Sequence, residues 1–334
     1  MHMSDALLSP SVGITFCAIS GAILAFSAKK VSREEDTYKT PLMAVTGAFI
    51  FASQMINFSI PGTGSSGHIG GGLLLSILLG PHRAFITLAS VLTLQALFFA
   101  DGGILALGAN VFNLAFFPAF IAYPLIFKSI CGDFSNKKRM AVASVTAAVV
   151  GLLFGSFFVI LQTVASGNSE LPFKTFVLFM LPIHFVIGIV EGIVTLGVIS
   201  FIRSTQPALL MANKEQTKTR IVLSLMFAAI LVGGVFSLFA SSSPDGLEWS
   251  IARVTGSEEI SGSENIIASF ATKIQEKMAF LPDYGFRGDA TSTAKAYVGT
   301  SLSGLLGAML VGGVLVLFGF LIRKRNRKMG NGCC

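Results

Sequence analysis

The sequence predicts an all-α polytopic membrane protein of about nine transmembrane helices, its N-terminus outside, its C-terminus cytoplasmic, with a small extracytoplasmic insert. Three observations predict it. Hydrophobic residues make up 53% of the 334 and charged residues 12%, at a mean hydropathy of +0.75, whereas soluble domains are about 25% charged. Apolar runs recur near 10–28, 41–60, 67–80, 84–100, 104–127, 140–163, 173–202, 221–240 and 297–322, taking about 20 residues per crossing. Of the 24 Lys and Arg, 18 fall in 29–40, 81–83, 128–139, 203–220 and 323–328, which share one side if the runs alternate. Basic loops stay inside, which fixes the orientation.

In chain order, the opening MHMSDALLSP has neither the basic start nor the small-residue cleavage site of a secretory signal. Its initiator Met is expected to survive, because aminopeptidases remove Met only before small residues and His2 is large. The first span carries Ala18, Gly21, Ala22 and Ala25 at helical spacing, a stripe that permits close helix approach, to another span or to a partner subunit. The third run is anomalous: Ile69 to Leu79 covers only about 16 Å, half of the roughly 30 Å hydrocarbon core. The preceding PGTGSSGHIGGG must therefore dip inward, and irregular backbone at that depth survives only where protein buries it or water reaches it. Interrupted spans of this kind often mark substrate sites. Residues 241–296 form the insert, with eight acidic and five basic side chains and the motifs SPDGLEWS and LPDYGF. Cys17, Cys131, Cys333 and Cys334 show no CxxC spacing, so neither a disulfide framework nor a zinc site is expected. Cys333-Cys334 matches no prenylation signal and reads as a dispensable tail.

The topology puts His2 and His68 on the same face of the membrane. A free Met1-His2 terminus offers three nitrogens in adjacent five- and six-membered chelate rings: the amine, the deprotonated His2 amide and the His2 Nδ1. They fill three corners of a square, and His68 can fill the fourth. Tetragonal nitrogen favours Ni(II) or Cu(II) over zinc, calcium or magnesium, with Co(II) possible. Imidazole must be neutral to ligate, so binding should weaken in acid. Asp5 can orient His2 or the amine from behind.

Among the other polar residues, His82 in the turn GPHRA reads as solvated. His184 and Glu191 lie seven apart in the seventh run, near one helix face, and intramembrane ionisable groups are functional suspects. An internal structural pair is the competing reading. Asn110 and Asn113, three apart in DGGILALGANVFN, can bridge neighbouring helices or stabilise the metal loop.

These residues resemble the NikM/CbiM family, the substrate-capture components of energy-coupling factor transporters for nickel or cobalt. The resemblance rests on Met1-His2 with Asp5, on SSGHIGGGLLLSILLGP around His68, and on DGGILALGANVFN, across about residues 1–205. PDGLEW and PDY, with the last span, look like the small companion subunit fused in NikMN-type proteins, across about 220–325. The implied organisation is a metal-capturing membrane domain over 1–205, a cytoplasmic linker over 206–220, and a NikN-like region over 221–328 with two spans flanking the insert. The resemblance implies that Met1, His2 and His68 hold the ion. It also implies a NikQ/CbiQ-like transmembrane coupling subunit and NikO/CbiO-like ATPases, with Ala18 and Ala22 as a docking face. One departure is Ser4-Asp5-Ala6, where the family usually has Pro before the Asp and Gly after it.

The expected protein is therefore a multi-pass subunit of the cell membrane that captures Ni(II), or next Co(II), outside. It is no enzyme, carries no resident cofactor and binds no nucleic acid. The chain has no GxxxxGK followed by Ser or Thr, so ATP hydrolysis falls to partners. The alternative is a proton-coupled secondary carrier using His184 and Glu191. A sensor would need a cytoplasmic output domain, and the longest cytoplasmic stretch is only 203–220.

Overall fold

The computed structural model describes residues 1–34, 39–167, 171–210, 219–258, 266–288 and 293–330. Cys333 and Cys334 lie outside them, as does part of the expected linker, 211–218.

Each predicted apolar run becomes a helix, as a chain in lipid must satisfy its backbone internally. Helix α1 spans Pro10–Ser32, α2 Lys39–Gln54, α3 Gly72–Leu79 and α4 Pro81–Phe99. A fifth rod begins as α5, Leu107–Val111, widens into a π-helix over Phe112–Phe127 and closes as α6, Lys128–Cys131. Pro118 and Pro124 lie inside the widened stretch, where each removes the N–H that a regular α-helical bond would need. Then follow α7, Lys137–Ser166, α8, Phe173–Thr205, and α9, Thr219–Gly234. The insert contributes α10, Gly246–Thr255, and α11, Ile266–Met278, before α12, Thr293–Gly330.

Seven of these rods are long and apolar enough to cross a membrane. The other two of the nine expected spans correspond to shorter helices, α2 with 16 residues and α3 with 8. All eight residues of α3 are buried, and Gly71 and Gly80, with φ of 77° and 82°, break the chain at either end. A helix this short is sheltered by protein on every side, which meets the condition for a broken span.

The chain between α2 and α3 is more ordered than a loop. Strands β1, Phe58–Ile60, and β2, Ser65–Gly67, pair antiparallel, with Phe58 opposite Gly67 and Ile60 opposite Ser65. The hairpin delivers His68 directly after its second strand. Helices α3, α4, α7 and α8 and the π-helical rod form one packed group, while α2 carries α9 and α12 on its other side. Helix α1 stands at the edge, against α4 and α5. Its Ala18, Gly21, Ala22 and Ala25 are all exposed, so the small-residue stripe faces away from the chain's other spans.

Candidate metal centre

His68 sits on backbone that is pinned from three directions. Glu191 of α8 accepts from Gly70 N at 2.9 Å and from Gly71 N at 3.1 Å, one bond to each carboxylate oxygen. Gln54 donates to the Gly70 carbonyl at 2.9 Å, and Gln95 donates to the Gln54 side-chain oxygen at 2.9 Å. On the side of the insert Ser66 donates through its N–H to the Pro244 carbonyl at 2.8 Å and through its hydroxyl to the Ser243 carbonyl at 2.8 Å. The His68 Nδ1 lies 3.2 Å from the Ile69 carbonyl. A carbonyl only accepts, so Nδ1 carries the hydrogen and Nε2 presents its lone pair. That Nε2 stands 3.5 Å from the Met1 amine.

The N-terminal segment reaches the same point from the other side. The Met1 side chain is buried in the core, and Asn110 clamps the next residue but one, accepting from Met3 N at 2.8 Å and donating to Met3 O at 3.0 Å. Asn113 pairs with Gln162 in both directions, at 2.7 and 3.0 Å. Asp5 is turned to the loop after α4, where it accepts from Ala106 N at 3.0 Å. The His2 ring stacks on His68 with centroids 5.2 Å apart and planes within 7°.

Two carboxylates hold the terminal groups. Asp245 lies 2.5 Å from the Met1 amine, and Asp101 3.1 Å from His2 Nδ1. Neither was singled out in the sequence as part of the site, and Asp5, expected to orient these groups, does not do so. Burial alone would raise the Asp245 carboxyl, but the facing ammonium and His68 outweigh it and hold the group well below the usual carboxylate range. Asp101 is held low in the same sense: burial raises it, and His2 with Tyr284 prevails. Tyr284 donates its hydroxyl to Asp101, and burial followed by that carboxylate pushes the phenol above its ordinary range, so it remains a donor.

Both insert motifs thus converge on the N-terminus. In SPDGLEWS, Asp245 caps α10 by accepting from Leu247 N and Glu248 N, while Glu248 accepts from Asp245 N, a reciprocal capping box. Its second oxygen is left for Met1. Trp249 Nε1 donates to Thr63 O in the hairpin turn at 3.0 Å. LPDYGF supplies Tyr284, and α11 supplies Gln275, which donates to Gly102 O at 2.6 Å beside Asp101.

The arrangement brings Met1, His2 and His68 together but engages two of their nitrogens. Ligation through His2 Nδ1 requires that atom to leave Asp101, and ligation through the amine requires Met1 to leave Asp245. Among the described residues no group of three or more His, Cys, Asp or Glu side chains gathers around a common point. An ion at this place depends on main-chain nitrogen for the rest of its donors.

The remaining candidates fall elsewhere. His82, expected in solvent, is half-buried in the first turn of α4, 3.1 Å from the Ser27 hydroxyl and edge-on to Phe26 and Phe120. Apolar neighbours on α1 and the π-helical rod enclose a turn that reads as polar in sequence. Cys17 and Cys131 are free thiols. Glu191 and His184 are both buried on α8, Glu191 against the His68 loop and His184 one helical turn from its partner, the Met180 carbonyl, at 2.8 Å.

A family model described as the cobalt uptake substrate-specific transmembrane region, CbiM, matches residues 2–209, and a PDGLE domain model matches 219–324. The putative fused nickel transport protein NikMN of Archaeoglobus fulgidus is 31% identical over 311 residues, covering 93% of this chain and 95% of its own. The fused nickel transport protein NikMN of Rhodobacter capsulatus is 29% identical, covering 99% of this chain and all of its own. A crystal structure of a truncated transition metal transporter superposes with a TM-score of 0.54 at 31% identity, over 61% of this chain and 99% of that one. These relatives are transport proteins rather than enzymes. The chain belongs to the CbiM family of substrate-specific transmembrane proteins, in the form fused to a PDGLE domain.

Proposed function

We propose that this multi-pass membrane protein is the metal-capturing subunit of an importer for transition-metal ions, with Ni(II) its first substrate and Co(II) its second. The observation that carries the reading is the meeting of Met1 N and His68 Nε2 at 3.5 Å, with the His2 ring stacked on His68. The ion is held by the Met1 amine, the His2 amide, His2 Nδ1 and His68 Nε2. Loading releases one proton from the ammonium and one from the amide, and the His2 ring ligates through Nδ1 as the neutral tautomer that carries its hydrogen on Nε2. Asp245 and Asp101 beside the site favour approach of a cation. Four nitrogens in a plane suit Ni(II).

The capture face is outside and the C-terminus cytoplasmic. A transmembrane coupling subunit docks on the exposed Ala18 and Ala22 stripe of α1, and ATPase subunits supply the drive. A proton-coupled carrier would need Glu191 to move protons, yet both of its oxygens are spent on Gly70 and Gly71. The test is titration of the purified full chain with Ni(II) and Co(II), beside forms with one residue added before Met1, with His68→Ala and with His82→Ala. The reading expects near-stoichiometric tight binding that the extension and His68→Ala abolish and His82→Ala leaves intact. Tight binding by the extended form refutes the amine as a ligand.

A further inference from the structure

The capture site leaves one buried group without a task. His184 is 1% exposed, eleven residues or about 16 Å into α8. Its Nδ1 faces the Met180 carbonyl at 2.8 Å, so that nitrogen is the donor and Nε2 holds the lone pair. Nε2 has no hydrogen-bond partner. Buried polar atoms are nearly always satisfied, and leaving one unmet costs about 1–3 kcal/mol. A residue kept for packing alone would carry no such cost if it were Phe or Leu.

The position of this nitrogen gives it a use. His184 lines a cavity of about 10 Å³ together with Met1, His68, Asp245 and Gly246, room for about one water or one ion. A Cβ on Gly246 would stand 3.1 Å from His184 Cε1, the ring carbon between Nδ1 and Nε2, so the imidazole borders the Gly246 side of the cavity. The donated Nδ1–H matches the habit of metal-ligating histidines, which give their other ring hydrogen to a carbonyl or carboxylate. His68 does the same with Ile69. A second cavity shares Met1, Gly70, Leu114 and Leu152 with the first and extends to Glu191 and Asn113.

We propose that His184 Nε2 is a further ligand for the transported ion, next to the Met1–His2–His68 set and on the side of the insert, meeting the ion before it enters the capture geometry. The proposal rests on the metal-capture reading. It describes a hand-off between neutral imidazoles across one small cavity, with no net change of charge at the His184 side chain.

The chain has four histidines, His2, His68, His82 and His184, which makes a direct test available. The full chain, purified without a histidine tag and carrying His2→Ala, His68→Ala and His82→Ala, keeps His184 alone. Ni(II) is added at millimolar concentration and its X-ray absorption spectrum recorded, with thermal melting as the check on folding. The expected result is binding at least about a hundredfold weaker than wild type, with imidazole scattering from the bound ion. Adding His184→Gln, whose amide keeps a donor for Met180, should weaken the residual binding at least tenfold more. Absence of imidazole scattering, no bound metal, or residual binding unchanged by His184→Gln each overturns the proposal and leaves a cavity that holds water. If the triple variant binds as tightly as wild type, the capture reading falls; His184 then stands as a ligand only if His184→Gln removes that binding.

Discussion

The two halves of the candidate centre are held by different kinds of bond. The His68 half is built from backbone: a paired hairpin, two amide N–H groups on Glu191, one carbonyl on Gln54, and the Gln95 side chain behind it. The Met1-His2 half is tied chiefly by charge, through Asp245 on the amine and Asp101 on the imidazole. Bonds of the first kind use neither the Met1 amine nor the His2 ring, and they fix the backbone that carries His68. Bonds of the second kind are made to the nitrogens that the proposed site uses, so on that proposal they yield when the ion arrives. One half is set by the hairpin and its buried partners, and the other is held by charge.

The sharpest way to break this contrast is at Glu191. Glu191→Ala strands two buried N–H groups, each worth about 1–3 kcal/mol. It should lower Ni(II) affinity about ten- to a hundredfold, the usual loss when a supporting group behind a ligand is removed. Glu191→Gln keeps one acceptor and should lose less. Calorimetric titration checks both, and an unchanged affinity in Glu191→Ala would show that the His68 loop needs no such anchor.

A smaller effect is expected at Asp245. Removing a hydrogen bond to a charged group costs about 2 kcal/mol, so Asp245→Asn should destabilise the metal-free protein by that order at neutral pH. The sign in pH follows from the folded carboxyl lying below its unfolded value. Its contribution is complete above the unfolded pKa of about 3.9 and is lost as pH falls through the lower folded value. Thermal unfolding of wild type and variant should therefore differ at pH 5–7 and converge only in strong acid. A difference that vanished already at pH 6 would contradict the pairing with Met1.

The smallest effect belongs to Tyr284→Phe, which deletes one hydroxyl from Asp101 and should cost about 1 kcal/mol. It should leave the His68 half untouched, so hydrogen exchange should quicken at His2 and Met3 and stay unchanged at Gly70 and Gly71. Equal acceleration at both places would mean the two halves are not separately held.

Much of this was legible in the sequence. Hydrophobic run lengths marked the helices, and the 11-residue run before Gly80 signalled the short buried α3. Met1, His2 and His68 stood out because a terminal amine, an amide and two imidazoles form a recognisable donor set. What escaped was long-range. Asp245 could be read as a helix cap from DGLE, since a cap and its partner lie three residues apart, but nothing local says that its second oxygen meets residue 1. Asp101 and Tyr284, 183 positions apart, are likewise joined only by packing. His82 misled for the same reason: a polar turn reads as solvated until Phe26 and Phe120 are seen to close over it.

The ion pair between Met1 and Asp245 also has a consequence for biosynthesis. The first residue and its partner are separated by 244 positions, and ribosomes add about 5–20 residues per second. Roughly 12–50 seconds pass before the carboxylate that steadies the amine exists at all. Until then the N-terminal segment can meet His68 and Asp101 once they have been made, but it has no insert to lie against. The nascent chain thus begins with an arm whose keeper is translated only after the whole CbiM-like region has been made.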